Sequence, residues 1–310
     1  MMTRNLLTLK NYNQDEIYRL LSKALECKRK RSRGKIEDNL KGKTVALIFN
    51  KPSTRTRVSF EAAISHLGGD SIYLTSNDLQ LGRGETIEDT GKVLSRYCEA
   101  IVIRTFSHED VEALAKASTV PVINALTNNH HPCQALADLM TILEKKDRLA
   151  SIDLTFIGDG NNVCNSLMIA AAKVGINLTV GSPKGYEPDK ELVDEARSFI
   201  TGVNKLSVTN DPKKAVKGAD VVYTDVWTSM GQEKETKKRL SDFKGYQIDE
   251  KLLKLASKDA IVMHCLPAHR GEEISAEVID GPKSVVFDQA ENRLHVQKAL
   301  INYLVANGKK

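Results

Sequence analysis

Lys51-Pro52-Ser53-Thr54-Arg55-Thr56-Arg57 is the stretch around which this chain is organised. The apolar run Val45-Ala46-Leu47-Ile48-Phe49 leads into it, and a helical run over 57–67, closed by Gly68-Gly69, leads out. The spacing predicts a strand, a turn and a helix, with Ser53 or Thr54 as N-cap. A helix start presents unbonded backbone N–H groups and the positive end of the helix dipole. Arg55 and Arg57 add planar guanidinium forks that match phosphate oxygens. An ordinary capped helix with exposed arginines is the plainer reading. Hydroxyls and guanidiniums concentrated at one turn favour a phosphate site.

Working outward, residues 13–28 read as an amphipathic helix with Asn13 as cap and Glu16 closing a capping box. The basic run Lys28–Lys35 follows it and suits the negative pole of that helix. Beyond the central turn, strands over 71–75, 100–104 and 120–125 alternate with helices over 86–97 and 109–117. A two-glycine polar loop holding Gln80 precedes Thr86, and His131-Pro132-Cys133-Gln134 opens an apolar helix to about Lys145. Near-continuous apolar strands alternating with helices predict a parallel sheet covered on both faces. Arg55, Arg104 and His131 then all fall at the C-terminal edge of that sheet, where open α/β folds bind ligands.

A polar junction over 144–151 precedes a second alternation. Strands are expected at 154–157, 178–180, 206–208, 220–225, 260–264 and 285–287, with a final helix over 293–306. The segment after Glu233 is Lys-rich and reads as mobile. The expected fold is α/β with two domains, each a parallel sheet flanked by helices. The first spans residues 1–147, with the C-terminal helix 293–310 packing back on it, and the second spans 148–292.

At 310 residues, two domains of ordinary size are the prior, and 41% hydrophobic residues supply both cores. A net charge of +5 argues against a general nucleic-acid binder, and the basic run lacks interleaved aromatics. The cysteines, at 27, 98, 133, 164 and 265, are odd in number and form no CxxC pair, which predicts reduced thiols. The N-terminus lacks the apolar core of a secretory leader, and no run approaches a membrane span. The expectation is a cytoplasmic protein.

Gly158-Asp159-Gly160 invites a dinucleotide reading, but Val163 stands where a third glycine belongs, and Gly181-Ser182-Pro183 offers no acid for a ribose. A turn holding some other small ligand and a purely structural turn both remain open. His130, His131 and Cys133, or His264 and Cys265, lack zinc spacing, so no metal is expected. His131, at a helix start, suits a hydrogen bond into a pocket, with a capping or core histidine as the alternative. Cys265 is either a nucleophile or a pocket wall, and the absence of a Cys-His-Asn signature favours the wall. Asp225 ends another strand and suits an amine, with a turn cap as its plain alternative.

Taken together these segments resemble one family. Ser53–Arg57, His131-Pro132-Cys133-Gln134, Asp225-Val-Trp-Thr-Ser-Met-Gly231, His264-Cys-Leu-Pro267 and Gln289-Ala-Glu-Asn-Arg293 occur in that order along the whole chain. This is similar to the aspartate/ornithine carbamoyltransferases, and the Asp225–Gly231 and His264–Pro267 segments are those of the ornithine branch.

The resemblance implies transfer of the carbamoyl group of carbamoyl phosphate to the δ-amine of ornithine, with no cofactor and no covalent intermediate. It implies that Ser53, Thr54, Arg55 and Thr56 hold the phosphate and that Arg104, His131 and Gln134, with Pro132 and Cys133 beside them, hold the carbamoyl end. Cys265, Leu266 and Arg293 complete that pocket, with Arg104, His131 and Cys265 nearest the reacting atoms. Asn162, Asp225, Ser229 and Met230 match ornithine-binding positions, and the Ser229-Met230-Gly231 loop is expected to close. Gln80 matches a position reaching the site of a neighbouring subunit in a homotrimer, a position that is His in some relatives. Arg57, one step inside the helix, is expected to support the cradle.

Overall fold

The computed structural model describes residues 4–75, 78–79 and 84–307. The chain divides into two compact units, Met1–Met140 with Glu291–Lys310, and Thr141–Ala290.

In the first unit, α1 (Gln14–Ser32) precedes β1 (Thr44–Phe49), α2 (Thr54–Ser65), β2 (Asp70–Thr75), α3 (Ile87–Tyr97), β3 (Ala100–Arg104), α4 (His108–Ala117), β4 (Val122–Leu126) and α5 (Pro132–Lys146). Asn13 Oδ1 accepts from Glu16 N at 2.9 Å, and Glu16 Oε2 accepts from Asn13 N at 2.9 Å, so the capping box forms as its spacing predicts. The four strands are parallel in the order β2-β1-β3-β4. Val45, Leu47 and Ile48 of β1 are fully buried, each worth about 1.5–3 kcal/mol of apolar transfer. The chain leaves β1 toward one edge and returns on its other side at β3. The switch point therefore lies between the C-terminal ends of β1 and β3, where Asn50 N donates to Arg104 O at 2.8 Å.

The second unit runs β5 (Asp153–Ile157), α6 (Asn162–Val174), β6 (Asn177–Gly181), α7 (Lys190–Ser198), β7 (Leu206–Thr209), α8 (Pro212–Val216), β8 (Val221–Thr224), α9 (Thr236–Asp242), α10 (Glu250–Leu253), β9 (Ile261–His264) and α11 (Ala276–Ile279). Its five parallel strands take the order β7-β6-β5-β8-β9. The switch point falls between β5 and β8, beside the Asp159–Asn161 turn and Asp225. Gly160 is required there, because a Cβ would meet Pro188 N at 2.2 Å. One core of this unit gathers Trp227, Phe243, Tyr246, Ile248, Val262 and Ile274 under its helices.

One expectation is corrected. Residues 285–287 are not a strand: α12 runs Val286–Asn307, and its C-terminal part packs with the first unit. The preceding residues meet the sheet through an isolated bridge of Ser284 to Val262: Val262 N donates to Lys283 O at 2.8 Å, and Val285 N donates to Val262 O at 2.9 Å. The Lys-rich stretch after Gln232 forms a 3-10 turn, Glu233–Glu235, and α9, which buries Arg239.

Candidate active site

In the first unit, α2 begins at Thr54 because Ser53 caps it: Ser53 Oγ accepts from Thr56 N at 3.2 Å. The same hydroxyl donates to Thr56 Oγ1 at 2.9 Å, and Arg293 Nη2 of α12 donates to that oxygen at 2.6 Å. Thr56 and Arg293 are buried, Arg55 is half-buried, and Thr54 is exposed. Arg104 is buried at the end of β3. Burial foremost, then the charges of Arg293 and Arg55, lowers its pKa to about 10, so it stays cationic at pH 7. His131 stands just before α5, whose first residue is Pro132. Burial, then Arg293, Arg104 and Arg55, holds its pKa well below the ordinary histidine value, so the imidazole is neutral.

Three guanidiniums thus act on one another and on a neutral donor at a helix N-terminus. An anion relieves that mutual repulsion, and a phosphate fits the forks. Lys51 belongs to the same field: burial and Arg104 lower its pKa. Its Nζ donates to Asn128 Oδ1 at 2.6 Å and lies 4.1 Å from the Phe106 ring centre. Sequence reasoning assigned Lys51 no role, since only the fold reveals its burial.

The remaining first-unit candidates differ in orientation. Cys133 is fully buried, its Sγ donating to Asn124 O at 3.5 Å, and burial pushes its pKa up to about 12. Gln134 Nε2 donates to Asp138 Oδ1 at 2.8 Å, one helical turn on. Arg57 turns away onto its own helix, pairing with Glu61 at 3.0 Å and lying 3.6 Å over the Tyr73 ring. Gln80 lies outside the described residues.

In the second unit, Asp225 is buried at the end of β8. Its Oδ1 accepts from Val226 N at 2.8 Å and from Cys265 Sγ at 2.9 Å, and its Oδ2 accepts from Asn161 Nδ2 at 2.8 Å. Cys265 is therefore a donating thiol against a carboxylate, which suits a pocket wall better than a nucleophile. Asn161 is the residue that sequence reasoning missed beside its neighbour Asn162. Its Oδ1 caps α6 through Val163 N (3.0 Å) and Cys164 N (3.1 Å), while its amide nitrogen grips Asp225. Asn162 is half-buried in the first turn of α6.

Ser229 N donates to Gln232 Oε1 at 3.1 Å, and Met230 is exposed. Arg239 fixes the base of this loop: Nη1 donates to Asp159 Oδ2 at 2.7 Å and to Trp227 O at 2.9 Å. Burial raises the Asp159 pKa, and Arg239 opposes that rise. Leu266 adopts φ 59 and is half-buried. Its N–H donates to His264 Nδ1 at 2.9 Å, so that nitrogen carries no proton and His264 Nε2 donates to Glu273 Oε1, also at 2.9 Å. The ligand atoms of Asp225, His264 and Cys265 lie within 4.8 Å of one another, a proximity that the spacing of His264 and Cys265 alone did not reveal.

The chain matches two family models: the carbamoyl-P binding domain of aspartate/ornithine carbamoyltransferase over residues 4–144, and the Asp/Orn binding domain over 150–304. It is 55% identical over 303 residues to the ornithine carbamoyltransferase of Caldicellulosiruptor saccharolyticus, covering 97% of this chain and 98% of that one. It is 54% identical over 299 residues to the anabolic ornithine carbamoyltransferase of Pyrococcus furiosus, covering 96% and 95%. A solved structure of ornithine carbamoyltransferase from Pyrococcus furiosus superposes with a TM-score of 0.96 at 53% identity over 98% of both chains. On the strength of both domain matches and of the fold itself, this chain belongs to the aspartate/ornithine carbamoyltransferase family.

Proposed function

We propose that the chain transfers the carbamoyl group of carbamoyl phosphate to the δ-amine of L-ornithine, giving L-citrulline and phosphate. The observation that supports this most is the gathering of Arg55, Arg104, Arg293 and a neutral His131 at the capped start of α2. Ser53, Thr54, Arg55 and Thr56 hold the phosphate. Arg104, His131 and Gln134 hold the carbamoyl group, with Pro132 and Cys133 shaping the wall, and Cys265, Leu266 and Arg293 complete the pocket. Asp225 receives the α-ammonium of ornithine, with Asn162, Ser229 and Met230 along its chain.

The transfer is direct. The neutral δ-amine attacks the carbamoyl carbon, the C–O bond to phosphate breaks, and the amine loses a proton. Negative charge building on the carbonyl oxygen is met by Thr56, Arg104 and His131, already fixed by burial and hydrogen bonds. Because His131 is neutral, it donates a hydrogen bond without protonating the oxygen. Phosphate departs into the field of Arg55 and Arg293, which favours the more charged product. A free alkylammonium has a pKa of ~10.4, so the amine must shed its proton before attack. Orientation of the two ligands supplies much of the remaining rate.

The working form is a cytoplasmic homotrimer in which Gln80 serves a neighbouring site. Exposed Val58 on α2 and Ile72 on the edge strand β2 support a self-association surface there. The role is arginine biosynthesis, in line with the anabolic name of the Pyrococcus furiosus relative. The test offers carbamoyl phosphate with ornithine, aspartate, putrescine and N-acetylornithine, and identifies the carbamoylated product. Citrulline from ornithine alone is expected, and preference for another acceptor overturns the ornithine assignment.

A further inference from the structure

The turn after β9 holds a buried charge that the transfer chemistry does not use. Glu273 is fully buried, and its Oε1 accepts from His264 Nε2 at 2.9 Å and from His269 N at 2.6 Å. Its Oε2 has no hydrogen-bond partner. That oxygen faces His269 Nδ1 at 3.9 Å, and Glu272 Oε2 lies 3.7 Å from the same nitrogen. His269, Glu272 and Glu273 each bring a ligand atom within 4.8 Å of the other two. Arg270, adjacent in sequence, is taken by Asp280 through a fork at 2.9 and 2.7 Å. Two carboxylates facing one imidazole leave net negative charge even with the ring protonated, and a buried carboxylate demands a counter-charge. The spacings are too long for hydrogen bonds but suit ligands around one ion. With metal–ligand bonds of ~2.0–2.2 Å, tetrahedral donors stand ~3.4 Å apart and wider angles reach ~4 Å.

We propose that His269 Nδ1, Glu272 Oε2 and Glu273 Oε2 form a site for a divalent first-row transition cation. One imidazole nitrogen with two carboxylate oxygens suits Zn2+, Co2+ or Mn2+ better than Ca2+ or Mg2+. The two carboxylates balance the ion's charge, and the exposed side leaves positions for water. The ion bears on the substrate pocket through Glu273, His264 and Leu266 N, which hold the Cys265-Leu266 segment. His264 itself is no ligand here, since both its ring nitrogens are engaged.

Co2+ is the probe, titrated into the whole protein and followed by visible absorption. One Co2+ per chain is expected, with d–d bands and no thiolate-to-cobalt charge transfer. His269→Asn and Glu272→Gln, each outside the proposed substrate pocket, should weaken binding by about tenfold or more. Cys265→Ser should leave the binding unchanged. Circular dichroism melts check that each variant is folded. Absence of binding to the wild type, a thiolate band that vanishes with Cys265→Ser, or indifference to both His269→Asn and Glu272→Gln overturns the proposal.

Discussion

Asp225→Asn changes one atom and tests the second-unit half of the site. The carboxylate accepts from Val226 N and Cys265 Sγ on Oδ1 and from Asn161 Nδ2 on Oδ2. An amide offers a single acceptor oxygen. With that oxygen kept toward Val226 and Cys265, the new NH2 group faces the NH2 group of Asn161. Asn161 cannot turn its amide over without withdrawing Oδ1 from Val163 N and Cys164 N, the cap of α6. The variant therefore loses a charge-assisted hydrogen bond, about 1.5–3 kcal/mol, or that bond is partly restored at the cost of the cap, about 1 kcal/mol. A similar loss of 1.5–3 kcal/mol at the α-ammonium corresponds to about ten- to hundredfold in ornithine affinity. Ornithine KM, from citrulline formation at saturating carbamoyl phosphate, should rise by that factor, and the melting temperature should fall. Carbamoyl phosphate affinity by calorimetry should hold, since its proposed cradle belongs to the other unit. An unchanged ornithine KM in a variant that still binds carbamoyl phosphate would refute the assignment of Asp225.

Further outcomes follow from the same contacts. Arg55→Ala should abolish measurable carbamoyl phosphate binding in calorimetry while preserving the fold, because Ser53 still caps α2; normal affinity removes the cradle argument. Arg239→Leu strands half-buried Asp159 without its cation and should cost about 1.5–3 kcal/mol in denaturant unfolding. Adding Asp159→Asn should recover part of that loss, and failure to recover any would show that the pair is not the cause. Burial lowers the His130 pKa to about 3 and holds His131 well below 6.5. Below pH 6.5 the unfolded chain therefore binds protons that the folded chain refuses. The His130 ring should then remove up to about 1.4 kcal/mol of stability per pH unit as pH falls from 6 toward 4, and His131 adds a loss of the same sign, with no such loss above pH 7. Denaturant midpoints across that range test this, and a flat profile contradicts burial of neutral rings.

The parts of the site fixed by local chemistry were legible in the sequence. Ser53 announced a helix start, and β1 announced a buried parallel strand, so the Arg55 and Arg104 positions followed from sheet geometry. Asn13 and Glu16 likewise declared their capping box. What stayed hidden depended on contacts distant in sequence. Asn161 and Asn162 are adjacent and chemically identical, and only the cap geometry shows that Asn161 grips Asp225. Arg239 lies in a Lys-rich run that reads as mobile, and its burial against Asp159, 80 residues away, is visible only in the fold. Val285-Val286-Phe287 is a short apolar run that periodicity cannot assign to strand or helix. Its continuity with the long helical pattern through Leu304 decides it as the start of α12. The proposed cation turn was not legible because the bond between Glu273 and His264 forms only in the folded turn after β9.

The most direct test of the account is product stoichiometry in a single reaction mixture. Purified protein, carbamoyl phosphate and L-ornithine should yield citrulline and inorganic phosphate in equal amounts, with phosphate release falling to the background rate when ornithine is omitted. Phosphate released in excess of citrulline, or no citrulline from folded protein that binds carbamoyl phosphate, would contradict direct carbamoyl transfer to ornithine.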